Sequence, residues 1–379
     1  MKQRLGHIIT MLCAGLLITL SGCSNDSSDD KQQLTQELRL TLGSPMFRST
    51  DVATRAGELP ASFEPYNYAT SLQPFSQVQG YFAYEKEGSN YISCVFNHVS
   101  DPSHVWTSKV PLYTLDSGNS YYLYGFMPKE NIFTSKENAG SGATIAPYGN
   151  PASYAKGAVI TLSGLNTVVG KDICVIVGAK GYTGTTAPDM SQRLGKFDYD
   201  PETEGNNLFL LVDHIYAGLK FNMKLGTDYA ALRGIKVKSM KLIPEDGDNN
   251  VIETIDAEVT IVANESYPMS VTFNNAQKGK EPEPAIIYDG EGKSLTTTSQ
   301  EFMACFCPDT NTKFTLETKY DVYDRKGNLI REDQTARNAI SLEYSIKAGE
   351  IHTVNITVRP TFLNVLSDPD LDNPTFKVN

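Results

Sequence analysis

Positive charge is what this sequence is short of. Against 33 Lys and Arg stand 44 Asp and Glu, a formal net charge of -11, and such a balance offers no basic face to nucleic acid or to an anionic membrane. Removing residues 1–55 takes away six Lys/Arg and five Asp/Glu, which leaves 27 against 39, or -12, so the acidity belongs to the remainder. Helical periodicity is scarce. After residue 20 no apolar run approaches the roughly 20 residues of a membrane-spanning helix. There are five histidines and one tryptophan, and neither Gly-x-Ser-x-Gly nor His-Glu-x-x-His occurs, which removes two common hydrolase signatures. Paired carboxylates of a glycan hydrolase cannot be recognised without geometry.

What is present is β-forming. Tyr 20, Phe 16, Gly 29 and Pro 19 accompany short alternating apolar runs closed by turn residues, the pattern of an all-β protein. At 379 residues the chain can bury two cores of ordinary size.

The beginning carries an address. Lys2 and Arg4 precede the apolar run IITMLCAGLLITL and Leu20-Ser21-Gly22-Cys23, a bacterial lipoprotein signal: small residues admit a signal peptidase and the Cys23 thiol accepts a diacylglycerol. The polar leash SNDSSDDKQQ follows, reading either as a surface-export signal through Asp26, Asp29 and Asp30 or as a plain linker. Cys13 leaves with the signal, so the mature chain keeps Cys94, Cys174, Cys305 and Cys307. Four cysteines allow three pairings. Cys305 and Cys307 share one strand face, where a mutual bond would be strained; zinc would need two close pairs, and buried thiols packing as small apolar groups are the expectation.

The organising stretch is 34–55. Leu34, Leu38, Leu40 and Leu42 fall on one parity and Thr35, Glu37, Arg39 and Thr41 on the other, a half-buried strand. The Ser/Thr-rich tether that follows holds Arg48 and Arg55, and an exposed tether is where proteases nick. An ordinary first strand plus loop is the plainer alternative. A cut would leave an apolar groove flanked by unpaired backbone groups, a receptor for another strand.

Two sets of about seven strands follow, the number that closes a sandwich. The first, 56–204, contains the hairpin VQGYFAYEK/YISCVFNHV, Trp106, the aromatic strand SYYLYGFMP, a long loop from Lys129 to Ala158 and closing strands at AVITLSG and KDICVIVGAKG. Gly164 to Lys171 has phosphate-loop spacing, but Asp172 stands where a hydroxyl is needed and a strand follows in place of a helix. The acidic stretch FDYDPETEGNN marks the boundary to 205–359, where Ile235, Val237 and Met240 alternate imperfectly and TIDAEVTIVA and SYPMSVTFN are placed in the second antiparallel set. His214 reads as structural. Asp246 and Asp248, and Asp368, Asp370 and Asp372, lack the glycine and distal glutamate of a calcium loop and read as solvated turns. Residues 360–379 look surplus to a finished sandwich and hold two β-capable pieces, TFLNVL and TFKVN.

Taken in order, the lipoprotein cysteine, the leucine strand, Thr54-Arg55-Ala56, GYFAYE, Trp106 before SYYLYGFMP, DHIYAGLKFNMKL and AGEIHTVNITVRPTFLNVLSDPDLDNP resemble the fimbrillins, pilus subunits of the type V system in anaerobic Gram-negative bacteria. The resemblance implies two tandem transthyretin-like antiparallel β-sandwich domains, 56–204 and 205–359. They follow a signal peptide at 1–22 and an acylated leash with a removable strand at 23–55. It implies outer-membrane delivery through Cys23 and cleavage between Arg55 and Ala56, with Arg48 as second choice, by an Arg-specific surface protease. Assembly with other copies or fimbrillin-like subunits into a fimbria would replace Leu34, Leu38, Leu40 and Leu42 by Phe362, Leu363, Val365 and Leu366 of a neighbour, joined by Phe376 and Val378. It implies no enzyme activity, no cofactor and no metal. A tip adhesin or membrane anchor of the same fold, binding a host protein or glycan, is the alternative.

Overall fold

Alternating sequence becomes strand nearly throughout the computed structural model, which describes residues 39–42, 48–49, 77–84, 91–98, 105–108, 120–127, 129, 142–170, 172–181, 196–198, 207–245, 251–263, 269–279, 283–308, 310–342, 345–361 and 369–379. The chain runs through β1 (Arg39–Leu42), β2 (Arg48–Ser49), β3 (Gln77–Tyr84), β4 (Ile92–His98), β5 (Val105–Ser108) and β6 (Ser120–Met127). Then come β7 (Ala143–Tyr148), β8 (Ser153–Asn166), β9 (Val168–Val169), β10 (Cys174–Gly181), β11 (Lys196–Asp198) and β12 (Asn207–His214). β13 (Ala217–Leu225), the short helix α1 (Thr227–Ala230), β14 (Gly234–Glu245), β15 (Val251–Val262), β16 (Met269–Gly279) and β17 (Ala285–Ser294) follow. β18 (Gln300–Phe306), β19 (Lys313–Tyr323), β20 (Leu329–Ser341), β21 (Glu350–Thr361) and β22 (Asp370–Val378) complete the described strands.

The first layer is an eight-stranded sheet in the order β10-β12-β1-β5-β4-β3-β6-β11. Because β6 also pairs with β10 through Met127 and Phe126, the sheet closes into a ring with β11 outside it. Period-two alternation then sorts side chains between lumen and exterior. Leu40, Val78, Phe82, Phe96, Leu123, Ile176, Leu208 and Leu210 share one buried cluster, whereas Tyr81, Tyr124, Phe126, Val175, Val177 and Leu211 belong to another. At the crossing of β3 and β6, Gly80 lies opposite Gly125. A Cβ on Gly125 would stand 2.1 Å from the Gln79 carbonyl oxygen, so only glycine admits that approach.

A four-stranded sheet, β16-β15-β8-β7, covers the exterior cluster with Ala158, Ile160 and Leu162 of β8 and Ala257, Val259 and Ile261 of β15. Tyr124 on β6 donates its hydroxyl to the Tyr154 carbonyl at 2.6 Å, tying the two layers. This sheet corrects two sequence readings. The loop expected between Lys129 and Ala158 contains β7 and the start of β8, whose apolar positions pack only once β15 lies alongside. β15 and β16 are placed from sequence in the second set, but β15 pairs with β8 of the first and carries β16 on its other edge.

The second pair of sheets encloses its own core. One is β2-β21-β13-β18-β9 with β22 also on β21; the other is β17-β14-β19-β20. Leu219, Phe221 and Met223 of β13 meet Val237, Met240 and Leu242 of β14 and Leu316 and Val322 of β19. The irregular alternation in β14 has a cause: the ladders shift register between Val237 and Ser239, and this bulge turns Met240 inward after Val237.

The fold is therefore all-β, in sandwich-like layers, but the stretch before residue 205 does not divide it. β12 belongs to the ring, β13 to the second core, and β9 from the first half pairs with β18. Leu34–Asn379 make one compact unit.

Candidate functional site

β1 is a slot-filling strand. Arg39, Leu40, Thr41 and Leu42 pair in parallel with Asn207, Leu208, Phe209 and Leu210 of β12, while Arg39 to Thr41 pair antiparallel with Thr107, Trp106 and Val105 of β5. It is the strand that joins β5 to β12, so its departure would open the ring and leave two unpaired edges. Leu40 is 0% exposed among the lumen side chains; its burial is worth about 1.5–3 kcal/mol, and each ladder hydrogen bond adds about 1 kcal/mol net.

The chain next appears in the other half. Arg48 and Ser49 form β2, parallel to Glu350 and Ile351 at the start of β21. Farther along the same strand β22 takes over, with Ile356 opposite Val378, Val358 opposite Phe376 and Thr361 opposite Asp370. One strand, β21, thus holds both the arginine segment and the C-terminal strand.

β22 is knit in by more than its ladder. Phe376 is 6% exposed, with its ring 4.7 Å from that of Tyr320, and Val378 and Leu371 pack against the same core. Asn338 of β20 donates to the Phe376 carbonyl at 2.5 Å, so β22 bridges the edges of both sheets. Tyr229 donates to the Leu371 carbonyl at 3.0 Å, and Arg233 forks onto Asp372 Oδ1 at 3.1 and 3.2 Å. The view of the whole tail as surplus does not hold for 370–378: Phe376 and Val378 fill their own chain's second sandwich, which would be open at that edge without them.

The turn carboxylates are engaged. Asp370 accepts from the Asn373 side chain at 2.8 Å and from the backbone N–H of Asp372 and Asn373 at 3.1 Å, and the Asn373 amide holds its carboxyl below the ordinary 3.8.

A second polar group lies elsewhere. Among the described residues, Asp172, Cys174 and His214 bring their ligand atoms within 4.8 Å of one another, all buried. Among the described residues the cysteines Cys94, Cys174, Cys305 and Cys307 are buried and none is disulfide-bonded. Burial pushes the Cys94 thiol up to about 12; burial and then the Asp172 charge push Cys174 well above its usual value. A protonated, enclosed thiol is the opposite of an activated nucleophile, so the Cys-His-Asp grouping does not make a catalytic triad.

No protein-family model matches the sequence, and no curated protein matches it. Solved structures to which the chain is similar include a Bacteroides fragilis protein provisionally assigned to cell adhesion, at 11% identity over 91% of this chain and 97% of that one with a TM-score of 0.44. Others are a fimbrial protein of Bacteroides vulgatus, at 12% identity over 89% and 98% with a TM-score of 0.31, and the fimbrial anchor protein Mfa2 of Porphyromonas gingivalis, at 11% over 90% and 97% with a TM-score of 0.25. At such values the functional reading rests on this chain's own residues.

Of the residues singled out in the sequence, Leu40 and Leu42 lie in β1, Arg48 in β2, and Phe376 and Val378 in β22. Cys23, Leu34, Leu38, Arg55, Ala56, Phe362, Leu363, Val365 and Leu366 lie outside the described residues, as do Asp246, Asp248 and Asp368. Among the described residues no helix is long and apolar enough to cross a membrane.

Proposed function

We propose that this chain is a structural subunit of a cell-surface pilus, exported as a lipoprotein acylated at Cys23 and polymerised by protease-triggered strand exchange. The observation that carries the reading is the position of β1, hydrogen-bonded on both edges in the middle of a closed sheet; Arg48 and Arg55 follow it in the sequence. An Arg-specific surface protease would cut between Arg55 and Ala56. Arg48 is the poorer substrate, since its backbone is paired with Glu350 and a protease cleft needs that strand free. After the cut, β1 is held by noncovalent contacts alone and a neighbour's C-terminal segment replaces it.

The donor side chains are Phe362, Leu363, Val365 and Leu366. Thr361 and Asp370 are ladder partners, and so long as they stay paired the chain between them cannot be donated to another molecule. β22 must therefore leave β21 first, which frees Phe376 and Val378 to follow into the neighbour. Burying about four apolar side chains at roughly 1.5–3 kcal/mol each offsets that undocking, and proteolysis makes the exchange irreversible.

A second reading has its own observation. A β22 integrated into its own core suits a terminal subunit that donates nothing, an anchor or a tip adhesin binding a host protein or glycan. The test is the paired variant Arg48→Ala/Arg55→Ala with N-terminal sequencing of the surface form. The stalk reading expects wild type to start at Ala56 and the variant to remain monomeric; unchanged polymer ladders in the variant would sink it. A wild-type start at Cys23 indicates an anchor. Truncation of 361–379 that spares assembly but abolishes adhesion indicates a tip.

A further inference from the structure

Four side chains that the pilus reading leaves unused converge at the end of the ring, where β12 gives way to β13. Asp172 and Cys174, two apart at the start of β10, point to one face. His214, the last residue of β12, is the ladder partner of Cys174, and the Ile215 N–H continues that pairing to the Ile173 carbonyl at 3.1 Å. Cys305 arrives on β18, a strand of the second pair of sheets flanked by Gly218 and Val169.

All four are enclosed: Asp172, Cys174, His214 and Cys305 are 0%, 0%, 2% and 1% exposed. They share one carboxylate. Asp172 Oδ2 is hydrogen-bonded to His214 Nδ1 and to the Cys174 thiol at 3.2 Å, and the Cys305 thiol, raised well above its usual value by burial and then by the Asp172 charge, lies in the field of the same carboxylate. The other oxygen, Asp172 Oδ1, has no hydrogen-bond partner. A buried carboxylate with an orphaned oxygen is costly unless a cation compensates it.

The dimensions and the donor types agree on which cation. Tetrahedral zinc with its usual bond lengths to sulfur, nitrogen and oxygen sets ligand atoms about 3.5 Å apart. Cys174 Sγ lies 3.2 Å from Asp172 Oδ2 and 3.7 Å from His214 Nδ1, so two edges of that tetrahedron stand already; the His214–Asp172 hydrogen bond has to open, and Cys305 has to turn in from outside this three-residue group. Two sulfurs, an imidazole and one carboxylate suit a borderline-soft transition metal, whereas calcium and magnesium require oxygen donors.

We propose that Asp172, Cys174, His214 and Cys305 form a structural site for a zinc-type divalent ion that pins β10 and β12 of the ring to β18 of the second sandwich. Binding releases the thiol protons of Cys174 and Cys305 and shifts the His214 ring proton from Nδ1 to Nε2, with no change of oxidation state. A site so enclosed takes its ion as the chain folds.

The experiment is elemental analysis of the full chain expressed with zinc, followed by refolding with cobalt(II). The proposal expects one ion per chain and a sulfur-to-cobalt charge-transfer absorption, abolished in Cys174→Ala, about halved in Cys305→Ala and unchanged in Cys94→Ala. Chelation of wild-type protein should lower its melting temperature, a readout that does not depend on the variants folding. Folded wild type that takes up neither ion overturns the proposal, as does a Cys174–Cys305 disulfide detected by peptide mass.

Discussion

The two halves of this molecule each complete a core with a strand from near one end of the chain, and they hold it differently. β1 is short and lies between two partners, with Leu40 in the lumen. β22 is longer, has one ladder partner, and relies on side chains, Phe376 on Tyr320 and Arg233 on Asp372, for the rest. A strand paired on both edges cannot fray from a side, so it leaves when the sheet opens. A strand paired on one edge peels from its end. The contrast implies that cleavage alone does not empty the β1 slot, while β22 can peel from its end once its side-chain contacts are released.

The contrast can be broken most forcefully at Leu40. Leu40→Asp places an uncompensated carboxylate in the ring and should cost about 5 kcal/mol or more, measured by denaturant unfolding. A loss under about 1 kcal/mol, the usual scale of a surface change, would mean that β1 is not part of the core. Phe376→Ala comes next, with an expected loss of about 3 kcal/mol, and it should also speed polymer growth of cleaved protein because undocking of β22 becomes easier. Slower growth would show that Phe376 matters more in the neighbour than at home. Arg233→Ala should cost about 1 kcal/mol, since Asp372 is more than one-third exposed and the pair is screened by solvent; amide exchange at 375–378 should rise while exchange in β1 stays unchanged. Equal acceleration in both strands would dissolve the distinction. The smallest effect is acidic. Asp370 is held below 3.8 by Asn373, so its support for the β22 turn is present above pH 3.8 and is lost as pH falls through the lowered value, seen as faster exchange in β22 after correction for the intrinsic rate.

Much of this was readable from side-chain parity. Leu40 in the lumen, the hairpin of β3 and β4, and the aromatic β6 follow from alternation alone. The bulge at Val237–Ser239 is visible in sequence as a broken alternation, though only the ladder explains it. The proposed ligand set does not stand out in the sequence because its members read singly: Asp172 as a failed phosphate loop, His214 as structural, Cys174 and Cys305 as apolar fillers. Asp-x-Cys on one strand face was the available signal, and it meant little until β12 and β18 were placed beside it.

By itself the sequence determined that the described part of the chain is almost entirely β and which side of most strands turns inward. Tertiary structure alone decided that β15 returns to β8 with β16 on its other edge, that β12 and β13 part into different sheets, and that Phe376 belongs to its own chain's core. The reason is physical. Periodicity encodes a buried face, but backbone hydrogen bonds are nearly blind to side chains, so the partner at each strand edge is chosen by long-range packing.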